Sequence, residues 1–207
     1  MSPPLSHPVT AYALTNALGA TTAEVIALLS QGQGGLAPCS WPLPFETFVG
    51  EVRGELCALT GAEAPYDSRL GRISGRVLEE LGPAITRACA RWGRERVAVV
   101  LGTSTGGIHE TELAFDAHQR EGKLPAGFDF ERQHAFHALV ELAQRRTGAA
   151  GPAYVVSTAC SSSGKVLGTA RRLLATGLAD AVLVGGVDSL CQTTLRGFRS
   201  LEVLSSK

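Results

Sequence analysis

Three short apolar runs stand out along the chain: Val97–Gly102, Ala153–Ser157 and Ala181–Val187. None alternates apolar with polar positions, so each predicts a strand covered on both faces, as in parallel sheets. A fourth, weaker stretch, Pro8–Ala17, carries Val9, Ala11, Tyr12, Ala13 and Leu14 and predicts a first strand. Elsewhere the spacing is helical. Leu70, Ile73, Val77, Leu78, Leu81, Ile85 and Ala88 form one apolar face over Ser68–Trp92, with a break or kink expected at Gly82-Pro83. Val25, Ile26, Leu28 and Leu29 mark a helix capped by Thr21 or Thr22 and ending at the Gly32–Gly35 cluster. Phe136, Leu139, Val140 and Leu142 face inward from a helix over Phe130–Thr147. Val166, Leu167, Ala170, Leu173 and Leu174 do so from a later helix, and Thr193–Leu204 predicts the last. Residues 109–127 read as polar, and 36–67, punctuated by Pro38, Pro42, Pro44 and Pro65, as an irregular surface excursion. Strand and helix alternate, which predicts an α/β fold with a mostly parallel sheet flanked by helices.

Composition narrows the class. The 207 residues suffice for one substantial domain, and 44% hydrophobic with 18% charged residues is ordinary for a buried core. Lys plus Arg and Asp plus Glu number 19 each, so bulk charge points to neither nucleic acid nor an anionic membrane. Cys39, Cys57, Cys89, Cys160 and Cys191 are scattered, with no C-x-x-C pair, which predicts reduced thiols and a cytoplasmic protein. Met1–His7 has neither the basic nor the apolar region of a secretory leader. The most apolar stretch, Leu173–Val187, is too short to span a bilayer.

Chemistry concentrates at residues 153–176. The apolar run ends in Ser157-Thr-Ala-Cys160-Ser-Ser-Ser-Gly164, and a helical pattern follows at once. Cys160 therefore falls on a strand-to-helix turn, where unpaired backbone N–H groups favour an anion such as a thiolate and can hold an oxyanion. A free cysteine is more often simply packed, but this setting points to a nucleophile. The loop Gly102-Thr-Ser-Thr-Gly-Gly107 lacks the dinucleotide pattern and reads as a glycine-lined pocket wall. All five histidines, His7, His109, His118, His134 and His137, precede Cys160. The His134/His137 pair shares a helix face but has no third ligand, so no metal site is expected.

Ser157–Gly164 resembles the nucleophile segment of the β-ketoacyl-acyl-carrier-protein synthases, the condensing enzymes of fatty acid and polyketide synthesis. Val97–Gly107, Gly177–Asp188 and Phe198–Ser205 resemble further segments of that family in the same order. The resemblance implies the N-terminal half of a thiolase-like fold, occupying residues 1–207, with the C-terminal half absent from this chain. It implies an acyltransferase that takes an acyl group onto Cys160, then performs a decarboxylative Claisen condensation with malonyl-carrier protein. By resemblance Thr105, Gly106, Gly107 and Phe198 line the acyl pocket. No cofactor of its own is implied, because substrates arrive on the phosphopantetheine of acyl carrier protein. That carrier protein is one implied partner. The other is a second subunit, like or synthase-like, paired through Ala153–Ser157 in a homodimer or heterodimer. The family's two catalytic histidines and lysine belong to the second half and match no position here. Leu101–Ile108 and the slim N-terminal part look like synthases of bacterial secondary-metabolite clusters, such as aryl polyene assembly. Two other readings stay open: a non-catalytic synthase-like partner subunit, and a cysteine acyl-transferring hydrolase such as a glutaminase.

Overall fold

The structure, a computed structural model, describes residues 6–52 and 54–205. Met1–Leu5, part of the segment read for a leader, and the chain end at Ser206-Lys207 lie outside the described residues. In chain order the elements are α1 (Thr22–Ser30), β1 (Ala37–Pro38), β2 (Phe48–Val49), α2 (Arg69–Trp92), β3 (Val97–Gly102), α3 (Ile108–Glu121) and α4 (Phe130–Gln133). They continue with α5 (His137–Thr147), β4 (Ala153–Val156), α6 (Ser162–Ala175), β5 (Ala181–Gly186) and α7 (Gln192–Ser200).

The three apolar runs form one parallel sheet in the order β4-β3-β5. Every residue of β3 is buried, as an unbroken apolar run predicts for a central strand. Its side chains divide by alternation between two helical layers. Val97, Val99 and Leu101 pack with Leu78 and Ile85 of α2 and Leu139 and Val140 of α5. Ala98 and Val100 pack with Val166 and Leu173 of α6. β4 and β5 are edges, so the expectation that they are fully buried is corrected: most of their residues are half-buried and Tyr154 is 48% exposed. At the opposite end of the sheet from the β-strand C-termini, Arg96 Nε donates to Asp180 Oδ2 at 2.7 Å and Asp180 N to Arg96 O at 2.9 Å. The guanidinium holds the Asp180 carboxyl below its usual range.

Several other expectations change for physical reasons. Pro8–Ala17 forms no strand: no other described segment pairs with it, and Val9 and Tyr12 stay exposed. α2 continues through Gly82-Pro83, because Leu78 and Ile85 on either side are anchored in the core while Pro83 faces solvent. The polar stretch 109–127 contains α3, whose single buried residue, Ala114, leaves no apolar stripe to read. The helix over 130–147 divides into α4 and α5, because the His134 carbonyl leaves the ladder to accept Gly107 N at 3.1 Å, and Phe136 is exposed. The excursion includes the β1–β2 ribbon, and Leu59 and Tyr66 reach the core with Ala138 and Leu142.

One close approach fixes the functional end of the sheet. Gly102 and Gly186 pair at the C-terminal ends of β3 and β5, and the first turn of α6 lies directly on them. A Cβ on Gly102 would stand 2.8 Å from the Ser162 carbonyl carbon, and one on Gly186 would meet the Ser163 side chain. Gly102→Ala is therefore expected to destabilise the fold by about 1–3 kcal/mol, since backbone must move. Gly197→Ala, in α7 with nothing within 4 Å of the new methyl, is expected to stabilise by about 0.4–1 kcal/mol. Denaturant melts of both variants check the contrast.

Burial also pushes the His134 imidazole below the usual histidine range, against a smaller raising influence of Glu110. The unfolded chain then binds this proton more readily than the folded one, so stability is full above about pH 6.5 and falls as pH drops below it. Urea midpoints measured across about pH 5–7 should show this fall, and His134→Gln should flatten it.

Candidate active site

β4 ends at Val156 and α6 begins at Ser162, so residues 157–161 make the turn expected around Cys160. The Cys160 side chain is exposed. The residue before it, Ala159, has φ 53°, a left-handed conformation that a non-glycine residue enters only at a cost. The turn is held there by hydrogen bonds. The Ala159 carbonyl accepts from Ser162 Oγ at 2.6 Å, Ser162 N at 3.0 Å and Ser104 Oγ at 3.1 Å. Ser162, buried to 1%, also accepts Thr158 N at 2.9 Å, and Ser161 Oγ donates to Thr158 O at 2.9 Å. The serines after Cys160 thus brace the turn. Ser161, the N-cap, places no capping side chain over the start of α6, which leaves that helix end available to a negative charge beside the thiol.

Cys160 opens on a cavity of about 430 Å³. One wall is the β3–α3 turn with Ser104 and Thr105; another is the loop from Asp188 to Cys191. Leu195 and Phe198 of α7, with Ile73 of α2, make the lining largely apolar. Thr105 and Phe198 are thus brought together with Cys160. Gly106 and Gly107 are not: both are buried against the α4–α5 junction, where a Cβ on Gly106 would meet His134 O at 2.6 Å and one on Gly107 would strike the Gln133 carbonyl. They do not line this cavity, because the backbone passing close to them is the chain's own.

No described histidine lines the Cys160 cavity. His134 Nδ1 pairs with Thr111 Oγ1 at 2.6 Å, His137 lies near Glu131 and Glu141, and His109 stacks near Trp41. Among the described residues no group of three or more His, Cys, Asp and Glu is placed to hold a metal ion. Among them, too, no helix is long and apolar enough to cross a membrane.

Two residues that no motif or spacing singles out also shape this site. Asp188 lies in the cavity wall and accepts Ser104 N at 2.6 Å and Thr103 Oγ1 at 3.0 Å. Glu112, on α3, accepts the first two N–H groups of α7, from Gln192 at 2.9 Å and Thr193 at 2.5 Å. It does the work of a capping side chain from 80 residues away, at a helix end whose own N-cap, Cys191, makes no side-chain cap. A single carboxylate in a polar stretch carries no spacing signal for such a role.

The chain matches the family described as β-ketoacyl synthase, N-terminal domain, over residues 9–207. It is 41% identical over 58 residues to 3-oxoacyl-[acyl-carrier-protein] synthase 2 of Rhizobium meliloti (strain 1021), covering 28% of this chain and 14% of that protein. It is 26% identical over 180 residues to putative polyketide β-ketoacyl synthase 1 of Streptomyces virginiae, covering 78% and 41%. Among solved structures, a ketosynthase in complex with its chain length factor from Xenorhabdus doucetiae superposes with TM-score 0.89 at 32% identity, over 98% of this chain and 53% of that one. A β-ketoacyl synthase from Burkholderia phymatum STM815 shares the fold at TM-score 0.75 and 20% identity, over 92% and 48%. The chain thus spans about half the length, or less, of these relatives.

Removing the remote cap tests how α7 is held over the cavity. Glu112→Ala is expected to cost about 1 kcal/mol and to speed amide hydrogen exchange in Thr194–Phe198, with Glu112→Gln intermediate. Unchanged exchange in α7 would show that the carboxylate does not anchor it.

Proposed function

The chain belongs to the β-ketoacyl synthase family, as its N-terminal domain, and from that premise we propose that it is the cysteine-bearing half of a condensing enzyme. The α/β fold is that of the thiolase-like ketosynthases. The observation that carries the proposal is the exposed Cys160 on its constrained turn, at the start of α6 and open to a largely apolar cavity.

In this reading Cys160 Sγ attacks the thioester carbonyl of an acyl group carried on the phosphopantetheine of acyl carrier protein. The new C–S bond forms, the pantetheine thiol leaves, and the acyl chain stays on Cys160 as a thioester. Its apolar part lies along Thr105 and Phe198. A malonyl group on a second carrier protein then loses CO2, and the resulting carbanion attacks the Cys160 thioester carbonyl. The Cys160 thiolate leaves with the bonding pair, and the β-ketoacyl product departs on the carrier. The family's two histidines and lysine have no counterpart in this chain, so the protein's continuation or a separate subunit supplies them. A like or chain-length-factor-like subunit pairs with this one, and acyl carrier protein docks to the pair. The products belong to fatty acid or polyketide synthesis, and the enzyme works in the cytoplasm.

A partner subunit without catalysis of its own is the second reading, since structural relatives include ketosynthase and chain length factor pairs. Cys160 favours the catalytic assignment. The hydrolase reading lacks support from a histidine in the cavity.

The test is acyl transfer from acyl-carrier protein to the purified full-length protein, followed by peptide mass spectrometry. An adduct of the acyl mass on Cys160, absent in Cys160→Ala, together with β-ketoacyl product on adding malonyl-carrier protein, is the expected result. Product formation that survives Cys160→Ala in the assembled complex would transfer catalysis to the partner.

A further inference from the structure

The cavity holds a carboxylate that the condensation chemistry does not use. Asp188 stands two residues beyond β5, and Val187 N still pairs with Gly102 O at 2.9 Å, so the loop is anchored to the end of β3. From there Oδ1 accepts Thr103 Oγ1 at 3.0 Å and Ser104 N at 2.6 Å, and Oδ2 lies 3.1 Å from Ser104 Oγ. Thr103 is fully buried and itself accepts Gly106 N at 3.1 Å. The Ser104 hydroxyl also lies 3.1 Å from the Ala159 carbonyl. That carbonyl belongs to the left-handed residue whose peptide carries the Cys160 nitrogen. Asp188 Oδ1 therefore holds Ser104 by its backbone N–H, and the one Ser104 hydroxyl proton, which lies within reach of both Asp188 Oδ2 and the Ala159 carbonyl, can tie Ser104 to the strained step before the thiol.

Backbone in a sparsely populated region persists only where its surroundings over-determine it. Ser162, on the α6 side, supplies two of the donors to the Ala159 carbonyl; Ser104, on the β3 side, supplies the third. The Ser104 contact ties the turn directly to the wall that carries Thr105, beside a longer contact from Ser162 Oγ to Thr103 O at 3.4 Å. Without Asp188 the Ser104 backbone N–H loses its acceptor, and the hydroxyl that reaches the Ala159 carbonyl is no longer held in place.

We propose that Asp188, acting through Ser104, is a positioning residue that fixes the Ala159–Cys160 peptide and so aims the Cys160 sulfur into the cavity. This rests on Cys160 being the nucleophile, but thiol reactivity can be read apart from condensation. An asparagine at 188 keeps one acceptor for Ser104 N and Thr103 Oγ1 and offers an N–H to Ser104 Oγ, so it preserves the geometry without the charge.

The experiment uses the purified full chain with any subunit that accompanies it. The alkylation rate of Cys160 by iodoacetamide is measured at its high-pH plateau by peptide mass spectrometry, beside a thermal melt. Asp188→Ala and Ser104→Ala are each expected to slow the plateau rate about tenfold or more, as displacement of a reacting group does. Asp188→Asn and Ser104→Thr are expected to restore it to within about threefold, and the double alanine variant to be no slower than the worse single one. A purely structural role would lower the melting temperature and leave the plateau rate unchanged. That result, additive losses, or an asparagine variant as slow as the alanine one would each overturn the proposal. Should Asp188→Ala fail to fold, Ser104→Ala against Ser104→Thr decides it. If Cys160 follows this pattern yet takes no acyl group from carrier protein, the condensing-enzyme reading fails and the positioning role stands.

Discussion

The seating of the first turn of α6 on the Gly102–Gly186 pair is the contact on which the rest of this domain depends. Without side chains at those two positions, helix backbone sits directly against the ends of β3 and β5. The C-terminal ends of parallel strands are where open α/β sheets place their chemistry, and here the approach of α6 sets how near Cys160 comes to the turns after β3 and β5. It also lets Ser162 be buried with its hydroxyl committed to the Ala159 carbonyl, so the left-handed step before the thiol is held by packing and hydrogen bonds together.

From that contact the cavity follows. β3 delivers Ser104 and Thr105, β5 delivers Asp188 and the loop to Cys191, and α7 returns Leu195 and Phe198 across the opening. α7 stays in place because a carboxylate from α3 binds its first two N–H groups. Polar groups thus position the walls, while the space between them stays largely apolar.

Cys160 is exposed, and no described histidine lines the cavity. The edge strands β4 and β5 are only half-covered, with Tyr154, Leu167 and Leu178 exposed beside them.

The order of elements and the place of the thiol were legible in the sequence because both are local. An unbroken apolar run, a helical stripe such as Leu70 to Ala88, and a Ser-Thr-Ala-Cys-Ser-Ser-Ser turn each report on their own few residues. The sequence was silent, or misleading, wherever the deciding partner is remote. α3 has no stripe because one alanine suffices to dock it. Pro8–Ala17 has strand composition but no strand beside it, and edge exposure of β4 depends on which strands flank it. Gly106 and Gly107 looked like pocket glycines, and only folding revealed that residues 133–136 take the space beside them. Glu112 and Asp188 gain their roles from donors 80 to 85 residues away. The sequence by itself determined a helix-flanked parallel sheet and a cysteine at a helix start. Tertiary structure decided which side chains surround that cysteine, because hydrogen bonds and close packing act between groups that the chain brings together only when folded.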